Sequence, residues 1–262
     1  MPLYLFHSQG LATLARYVAP DTLFSFDLDG TLAPIVEERA AARIAKPVRG
    51  ALQRLAGLAK VAVITGRSRK DALSILGFEP HLVIGNHGAE WPADKENRNW
   101  QLVEHCLTWR DRLQGSLSEV QGVEIEFKGE SISLHYRKAQ DPDLALSLIH
   151  AAIDRLEPAP RRFGGKYVVN VIPVGAFGKG DALAAAMELF GSARAVYFGD
   201  DETDEEVFRL QRDEVFGVHV GRDDQSAATC YLNRQSEMLG LLNSIVGTLE
   251  SQRDEGSDPE EG

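Results

Sequence analysis

The chain is poor in cysteine, in long apolar runs and in positive charge, and each shortage removes a class of protein. Cys106 and Cys230 are the only thiols among 262 residues. They are too few and too scattered for a disulfide framework or a zinc site, and their scarcity fits a reducing cytosol. No window approaches the roughly 18 uninterrupted apolar residues of a membrane-spanning helix. The opening MPLYLFHSQGLATLARY has neither a basic n-region nor a long apolar h-region, so a soluble cytoplasmic protein is expected. Lysine and arginine number 28 against 39 acidic residues, a net charge of −11. Asp254, Glu255, Asp258, Glu260 and Glu261 against Arg253 place −4 of it in the last twelve residues. The remainder still argues against nucleic acid or an anionic membrane as partner. A small anionic substrate stays open, because one local basic pocket serves it. GAFGKGDA lacks the four-residue spacing before Gly-Lys and the Ser or Thr after it, which excludes a P-loop.

What is present is enough apolar content, 44%, to bury a core in one large domain or two modest ones. Short apolar runs alternate with helical patterns: TLFSFDL (22–28), KPVRGALQRLAGLA (46–59), VAVITG (61–66), SRKDALSIL (68–76) and HLVIGN (81–86). This alternation predicts an α/β fold, a parallel sheet with helices on both faces. From about Trp100 the texture changes. Ile125 and Phe127, then Ile132 and Leu134, alternate with polar residues around Gly129, predicting a half-exposed antiparallel hairpin. A helix at 143–156 and a strand at 166–172 complete this block. After Gly178 the first texture returns. The expected organisation is a discontinuous core, 1–105 and 173–250, interrupted by a smaller α+β unit, 106–172. Residues 251–262 read as a disordered acidic tail. No internal repeat is visible.

The run LFSFDLDGT ends a buried strand in two carboxylates, a costly arrangement without a neutralising cation. Asp27 suits a nucleophile that splits a displacement into two easier steps. Asp29, two residues on, suits the proton transfers. Gly30 lets a phosphate approach the backbone closely. VITGRS ends another strand in Thr65, Gly66 and Arg67, whose hydroxyl and amides can hold a phosphate oxygen. Alone, Lys179 in GKGDAL reads as a solvated loop charge, and DDETDEE as an acid-rich first helical turn. Together with Asp27, Lys179 and the acids Asp200, Asp201 and Asp204 read as a magnesium site with its counter-charge.

These four segments, in this order, resemble the haloacid dehalogenase (HAD) superfamily of phosphotransferases, with a Rossmann-like core and an inserted cap. The resemblance implies Asp27 as nucleophile, Asp29 as general acid and base, Thr65 as phosphate-binding hydroxyl and Lys179 as charge-neutralising lysine. It also implies magnesium held by the side chains of Asp27 and Asp200 and the main-chain carbonyl of Asp29, supported by Asp201 and Asp204. Over about residues 22 to 240, GNHGAEW, EFKGESISLHYR and GKYVVNVIP look like the trehalose-6-phosphate phosphatases. In that family a Glu-x-Lys pair on a cap strand holds sugar hydroxyls, here Glu126 and Lys128. His135 and Arg137 belong to the same stretch, and Asn86, His87 and Gly88 match the loop entering the cap. Without the resemblance, Glu126 and Lys128 read as an exposed cross-strand ion pair. Asn170 departs from the family's usual glutamate, although an amide also donates and accepts to hydroxyls.

The expected activity is magnesium-dependent hydrolysis of trehalose 6-phosphate, by a monomer whose partner is a small-molecule sugar phosphate. The alternatives are the same chemistry on another disaccharide or glycosyl-glycerate phosphate, and a catalytically silent sensor. The sensor would have lost Asp27, Asp29 or Lys179, all present here.

Overall fold

The computed structural model describes residues 1–36, 41–92, 100–165, 167–210 and 212–255. They form two compact units, residues 1–92 with 178–262, and residues 93–177. The first unit begins β1 (Leu3–Tyr4), α1 (Ser8–Ala15), β2 (Thr22–Phe26), α2 (Lys46–Ala56), β3 (Lys60–Ile64), α3 (Arg69–Leu76) and β4 (Leu82–Ile84). The second comprises α4 (Trp100–Leu117), β5 (Glu124–Phe127), β6 (Ile132–His135), α5 (Pro142–Ile153), β7 (Arg161–Gly165) and β8 (Val168–Ile172). The first then resumes with α6 (Lys179–Phe190), β9 (Arg194–Gly199), α7 (Glu205–Phe208), β10 (Val215–Val220), β11 (Cys230–Leu232) and α8 (Met238–Glu255).

The first unit is a seven-stranded sheet ordered β1-β11-β10-β9-β2-β3-β4, and every pairing is parallel. All five residues of β2 are buried, as a central strand covered on both faces requires. Period two divides its side chains. Phe24 and Phe26 join the core shared with α2 and α8, while Leu23 joins the one shared with α6 and α7. From β2 the chain moves outward through β3 and β4 on one side, and through β9, β10 and β11 on the other. That reversal of direction opens a crevice at the carboxyl ends of β2 and β9, where ligands of open α/β sheets bind.

In the second unit four antiparallel strands are ordered β5-β6-β8-β7. Ile132, Leu134, Val169 and Val171 cover one face with Trp109 and Leu113 of α4 and Ile149 and Ile153 of α5. The register sets the opposite face in cross-strand rows, one of which is Glu126, Ser133, Asn170, Phe163. Phe163 and Ile172 on this side pack with Leu102 and Ala176.

Three expectations are corrected. The boundary expected at 105/106 would cut α4, which lies wholly in the second unit together with Pro173–Phe177. The acidic tail does not begin at Ser251, because α8 continues to Glu255. Its buried residues, Met238, Leu241, Leu242, Ile245, Val246 and Leu249, follow helical spacing and anchor the helix on the core, while exposed residues 251–255 continue it. Residues 256–262 lie outside the described residues. The last strand starts at Val168, and its edge partner β7 was not anticipated; Lys166, assigned to that strand, is also outside them. Among the described residues, no helix is long and apolar enough to cross a membrane.

Candidate active site

Asp27, Thr65 and Asp200 each stand one residue beyond a parallel strand, β2, β3 and β9. Beneath two of them, Phe26 and Phe198 are register partners with rings stacked at 4.8 Å. The Asp27 amide continues the ladder, donating to the Phe198 carbonyl at 2.8 Å. The two strand tips are therefore tied together by a ring stack and a ladder bond.

Lys179 occupies the first turn of α6, where the helix dipole disfavours a cation, and its side chain is only 1% exposed. Carboxylates offset this. Its Nζ donates to Asp27 Oδ1 at 3.0 Å and to Asp204 Oδ1 at 2.8 Å. Burial works against its charge, but Asp204 and Asp27 outweigh burial and hold Lys179 well above the usual lysine range. The loop reading of an isolated Gly-Lys-Gly is thus replaced by a fully desolvated ion pair.

Asp204 has another part in this arrangement. It is fully buried, and besides Lys179 its Oδ1 accepts from the Tyr197 hydroxyl at 2.6 Å. Its Oδ2 accepts from the amides of Asp200 and Asp201 at 2.9 and 3.0 Å. All four lone-pair positions are taken, so Asp204 holds Lys179 and the Asp200 loop in place rather than offering a free ligand atom. Tyr197 was missed in the sequence; its only signal was a hydroxyl inside an apolar strand. Asp201 accepts from the Thr203 amide and hydroxyl. Burial opposes its ionisation, but Lys179, Thr203 and His87 prevail and set it at about 2.

Oxygens of Asp27, Asp200 and Asp204 lie within 4.8 Å of one another. Burial, opposed by Lys179 and reinforced by Asp204, Asp200 and Asp201, pushes Asp27 well above the carboxylate range. Burial together with Asp204 and Asp201 pushes Asp200 to about 8. One lysine does not balance these acids, and a divalent cation fits the donor set of Asp27 and Asp200. Gly30 makes room for the second of these carboxylates. At φ 87° a Cβ there would fall 1.9 Å from Asp200 Oδ2, so only glycine lets the Asp200 carboxylate lie against the backbone after Asp29. Thr31 Oγ1 donates to Asp200 Oδ1 at 3.1 Å.

Thr65 Oγ1 accepts from the Arg67 amide at 3.2 Å, which directs the hydroxyl hydrogen elsewhere. A Cβ on Gly66 would meet the His87 ring at 2.4 Å, so the imidazole lies directly against this turn. Asn86 and His87 both adopt left-handed backbone, φ 49° and 58°, at a cost of about 1–3 kcal/mol each. Surrounding bonds hold that strain: the Asn86 amide donates to the Arg67 carbonyl and the His87 amide to the Thr65 carbonyl, at 2.8 and 2.9 Å. Gly88, at φ 115°, meets the Gly178 carbonyl where a Cβ would sit, bringing this loop against the start of α6. Arg67 Nε and Nη2 donate to the two oxygens of Asp29, each at 2.6 Å.

In the second unit Glu126, His135 and Lys128 come together. Glu126 Oε2 lies 2.9 Å from His135 Nε2 and 3.6 Å from Lys128 Nζ. Ser133 Oγ donates to Asn170 Oδ1 at 2.7 Å, a partner the sequence did not suggest. Arg137 is exposed and stacks its guanidinium over the Tyr167 ring, 5.5 Å from the centroid.

The trehalose-phosphatase family model matches residues 25–235, which include every residue of this constellation. The chain belongs to the trehalose-phosphatase family. Its members are HAD-superfamily proteins, and the parallel core described above is the HAD fold. The probable trehalose-phosphate phosphatase D of Arabidopsis thaliana is 29% identical over 242 residues, 84% of this chain and 66% of that protein. An uncharacterized glycosyl hydrolase of Mycobacterium tuberculosis is 31% identical over 249 residues, which are 86% of this chain but 18% of that protein. The chain thus spans just under two thirds of the plant relative and less than a fifth of the mycobacterial one. Among solved structures, the C-terminal domain of Candida albicans trehalose-6-phosphate phosphatase matches with a TM-score of 0.73 at 23% identity, over 94% of this chain and 98% of that one.

Proposed function

We propose that this trehalose-phosphatase family member is a magnesium-dependent phosphomonoester hydrolase that converts trehalose 6-phosphate and water to trehalose and phosphate. The observation that carries the reading is a buried carboxylate, Asp27, paired at 3.0 Å with a buried lysine at the crevice of a parallel sheet. An oxygen of Asp27 attacks phosphorus, and the bond from phosphorus to the sugar oxygen breaks. The sugar oxygen takes the proton of Asp29, leaving an aspartyl phosphate. Water then attacks phosphorus and gives a proton to Asp29. The bond from phosphorus to Asp27 breaks, and phosphate, the Asp27 carboxylate and the protonated Asp29 result. Thr65 donates its hydroxyl hydrogen to a phosphate oxygen, and Lys179 balances charge on Asp27 throughout. Magnesium, held by the side chains of Asp27 and Asp200 and the Asp29 carbonyl, supplies positive charge that makes phosphorus easier to attack.

Glu126, Lys128, His135 and Asn170 are assigned to the sugar. Their charged and amide groups suit a ring of hydroxyls, which an apolar pocket would leave unpaired. Asn170 favours a second reading, another sugar phosphate or a glycosyl-glycerate phosphate, because an amide repels an acidic group less than a glutamate would. A phosphate-release screen against a panel of sugar phosphates, comparing kcat/KM, decides between them. Trehalose 6-phosphate is expected to lead; a higher kcat/KM on a glycosyl-glycerate phosphate would replace the first reading by the second. Cytoplasmic location and a monomeric state accompany this proposal.

A further inference from the structure

The turn after β3 was expected to hold phosphate with Thr65, Gly66 and Arg67 alike. The structure separates the arginine from the other two. Its guanidinium meets Asp29 through a fork, Nε to Oδ2 and Nη2 to Oδ1, both at 2.6 Å, the geometry in which an arginine fixes the plane of a carboxylate and not merely its charge.

The two partners are unequally held. Arg67 is 5% exposed on its side chain, and its backbone is pinned on both sides, by Thr65 Oγ1 and by the Asn86 amide. Asp29 is 35% exposed on its side chain, while its backbone is fixed by the bridge to Ala33. The rotation of the Asp29 side chain is therefore the freedom left to it, and the buried arginine removes that freedom. An acid–base group must keep its oxygen aligned with the departing oxygen and then with water, and a displacement of about 1 Å in such a group can cost about a hundredfold in rate.

We propose that Arg67 is a positioning residue for Asp29, aiming the carboxyl that transfers the proton, rather than a ligand of the substrate phosphate. This rests on the reading of Asp29 as acid and base given above. The proposal predicts a signature that a phosphate ligand would not show. A sugar alkoxide needs a proton to depart, whereas p-nitrophenolate leaves without one, so loss of aim at Asp29 falls on the sugar phosphate. kcat/KM is the quantity to compare, because it stops at the first irreversible step and excludes the water step that both substrates share.

The experiment compares wild type, Asp29→Asn, Arg67→Lys, Arg67→Ala and the double variant Asp29→Asn/Arg67→Lys, on trehalose 6-phosphate and on p-nitrophenyl phosphate. Lysine keeps the charge without the fork, and it carries the test if the alanine variant does not fold. Asp29→Asn is expected to lose about a hundredfold or more in kcat/KM on the sugar phosphate. Arg67→Lys is expected to lose about tenfold or more there, less than about threefold on p-nitrophenyl phosphate, and nothing further in the Asp29→Asn background. Equal losses on both substrates, carried by KM and multiplying with Asp29→Asn, would make Arg67 a phosphate ligand and overturn the inference. Wild-type behaviour of both Arg67 variants would overturn it as well. An Asp29→Asn variant as active as wild type would instead overturn the acid–base reading, and the inference with it.

Discussion

In the first unit, β2, β3 and β9 are covered on both faces, and Asp27, Thr65 and Asp200 stand one residue beyond them. In the second, β5, β6 and β8 pack one face against α4 and α5, and Glu126, Ser133, His135 and Asn170 lie within the strands, side by side on the other, where Ser133 and Asn170 are buried and Glu126 and His135 partly exposed. A parallel sheet covered on both faces places its acidic groups where its strands stop, so its chemistry is concentrated, desolvated and tightly paired. An antiparallel sheet packed on one face frees every second residue of each strand, so polar groups spread over the other face in rows; Glu126 and His135 keep part of their hydration there, while Ser133, Asn170 and the Lys128 side chain are buried. A misplaced group should therefore matter far more in the first unit than in the second.

The sharpest way to break this contrast is at the strand tip. Asp27→Asn should lower phosphate release at least about ten-thousandfold while circular dichroism stays native, since the nucleophile has no substitute. Appreciable turnover would remove Asp27 from its role. Gly30→Ala comes next. The methyl group collides with Asp200 at a left-handed position, so magnesium affinity by titration calorimetry should fall about 10- to 100-fold; unchanged affinity would mean that Asp200 is not a ligand. On the polar face of the second unit, Lys128→Ala should reduce kcat/KM for trehalose 6-phosphate about tenfold more than for p-nitrophenyl phosphate. Equal losses would mean that this face does not read the sugar.

The smallest effect concerns stability. Burial and the neighbouring Asp204 and Asp201 hold Asp200 at about 8 against an ordinary 3.8, so the folded chain keeps a proton that the unfolded chain has released. Stability should then fall as pH rises between those two values. With chelator present, the melting temperature should drop by several degrees across this window, and magnesium should recover most of the loss at its upper end. Asp200→Asn should make the slope shallower. A melting temperature independent of pH in chelator would contradict the charge crowding at this site.

FDLDGT was legible because a buried apolar strand rarely ends in two acids, and the hairpin because Ile125, Phe127, Ile132 and Leu134 alternate around Gly129. Other features depend on which distant groups meet, and no local pattern encodes that. Asp204 looks like any acid in DDETDEE until Tyr197, Lys179 and two amides occupy both its oxygens. The Arg67 fork requires β2 and β3 to be neighbours, and the glycine at 66 makes sense only once the His87 ring lies on it. In RRFGG of β7, arginines and glycines hide an edge strand that its partner β8 defines. The extent of α8 was misread because charge was taken as the mark of a tail, although exposed residues 251–255 extend a helix anchored as far as Leu249.

The ion pair between Lys179 and Asp27 joins positions 152 residues apart, with the whole second unit between them. On a ribosome, Asp27 emerges long before its counter-charge exists, and β2 lacks its neighbour β9 throughout that interval. The inserted unit, continuous in sequence and paired mostly between near neighbours, has the lower loop-closure cost and is expected to fold first. Pulse-labelled amides during refolding would test this order: protection in β5, β6 and β8 should precede protection in β2, and the reverse order would refute it. On that order, the part of the chain that carries the chemistry is completed last, from its two ends.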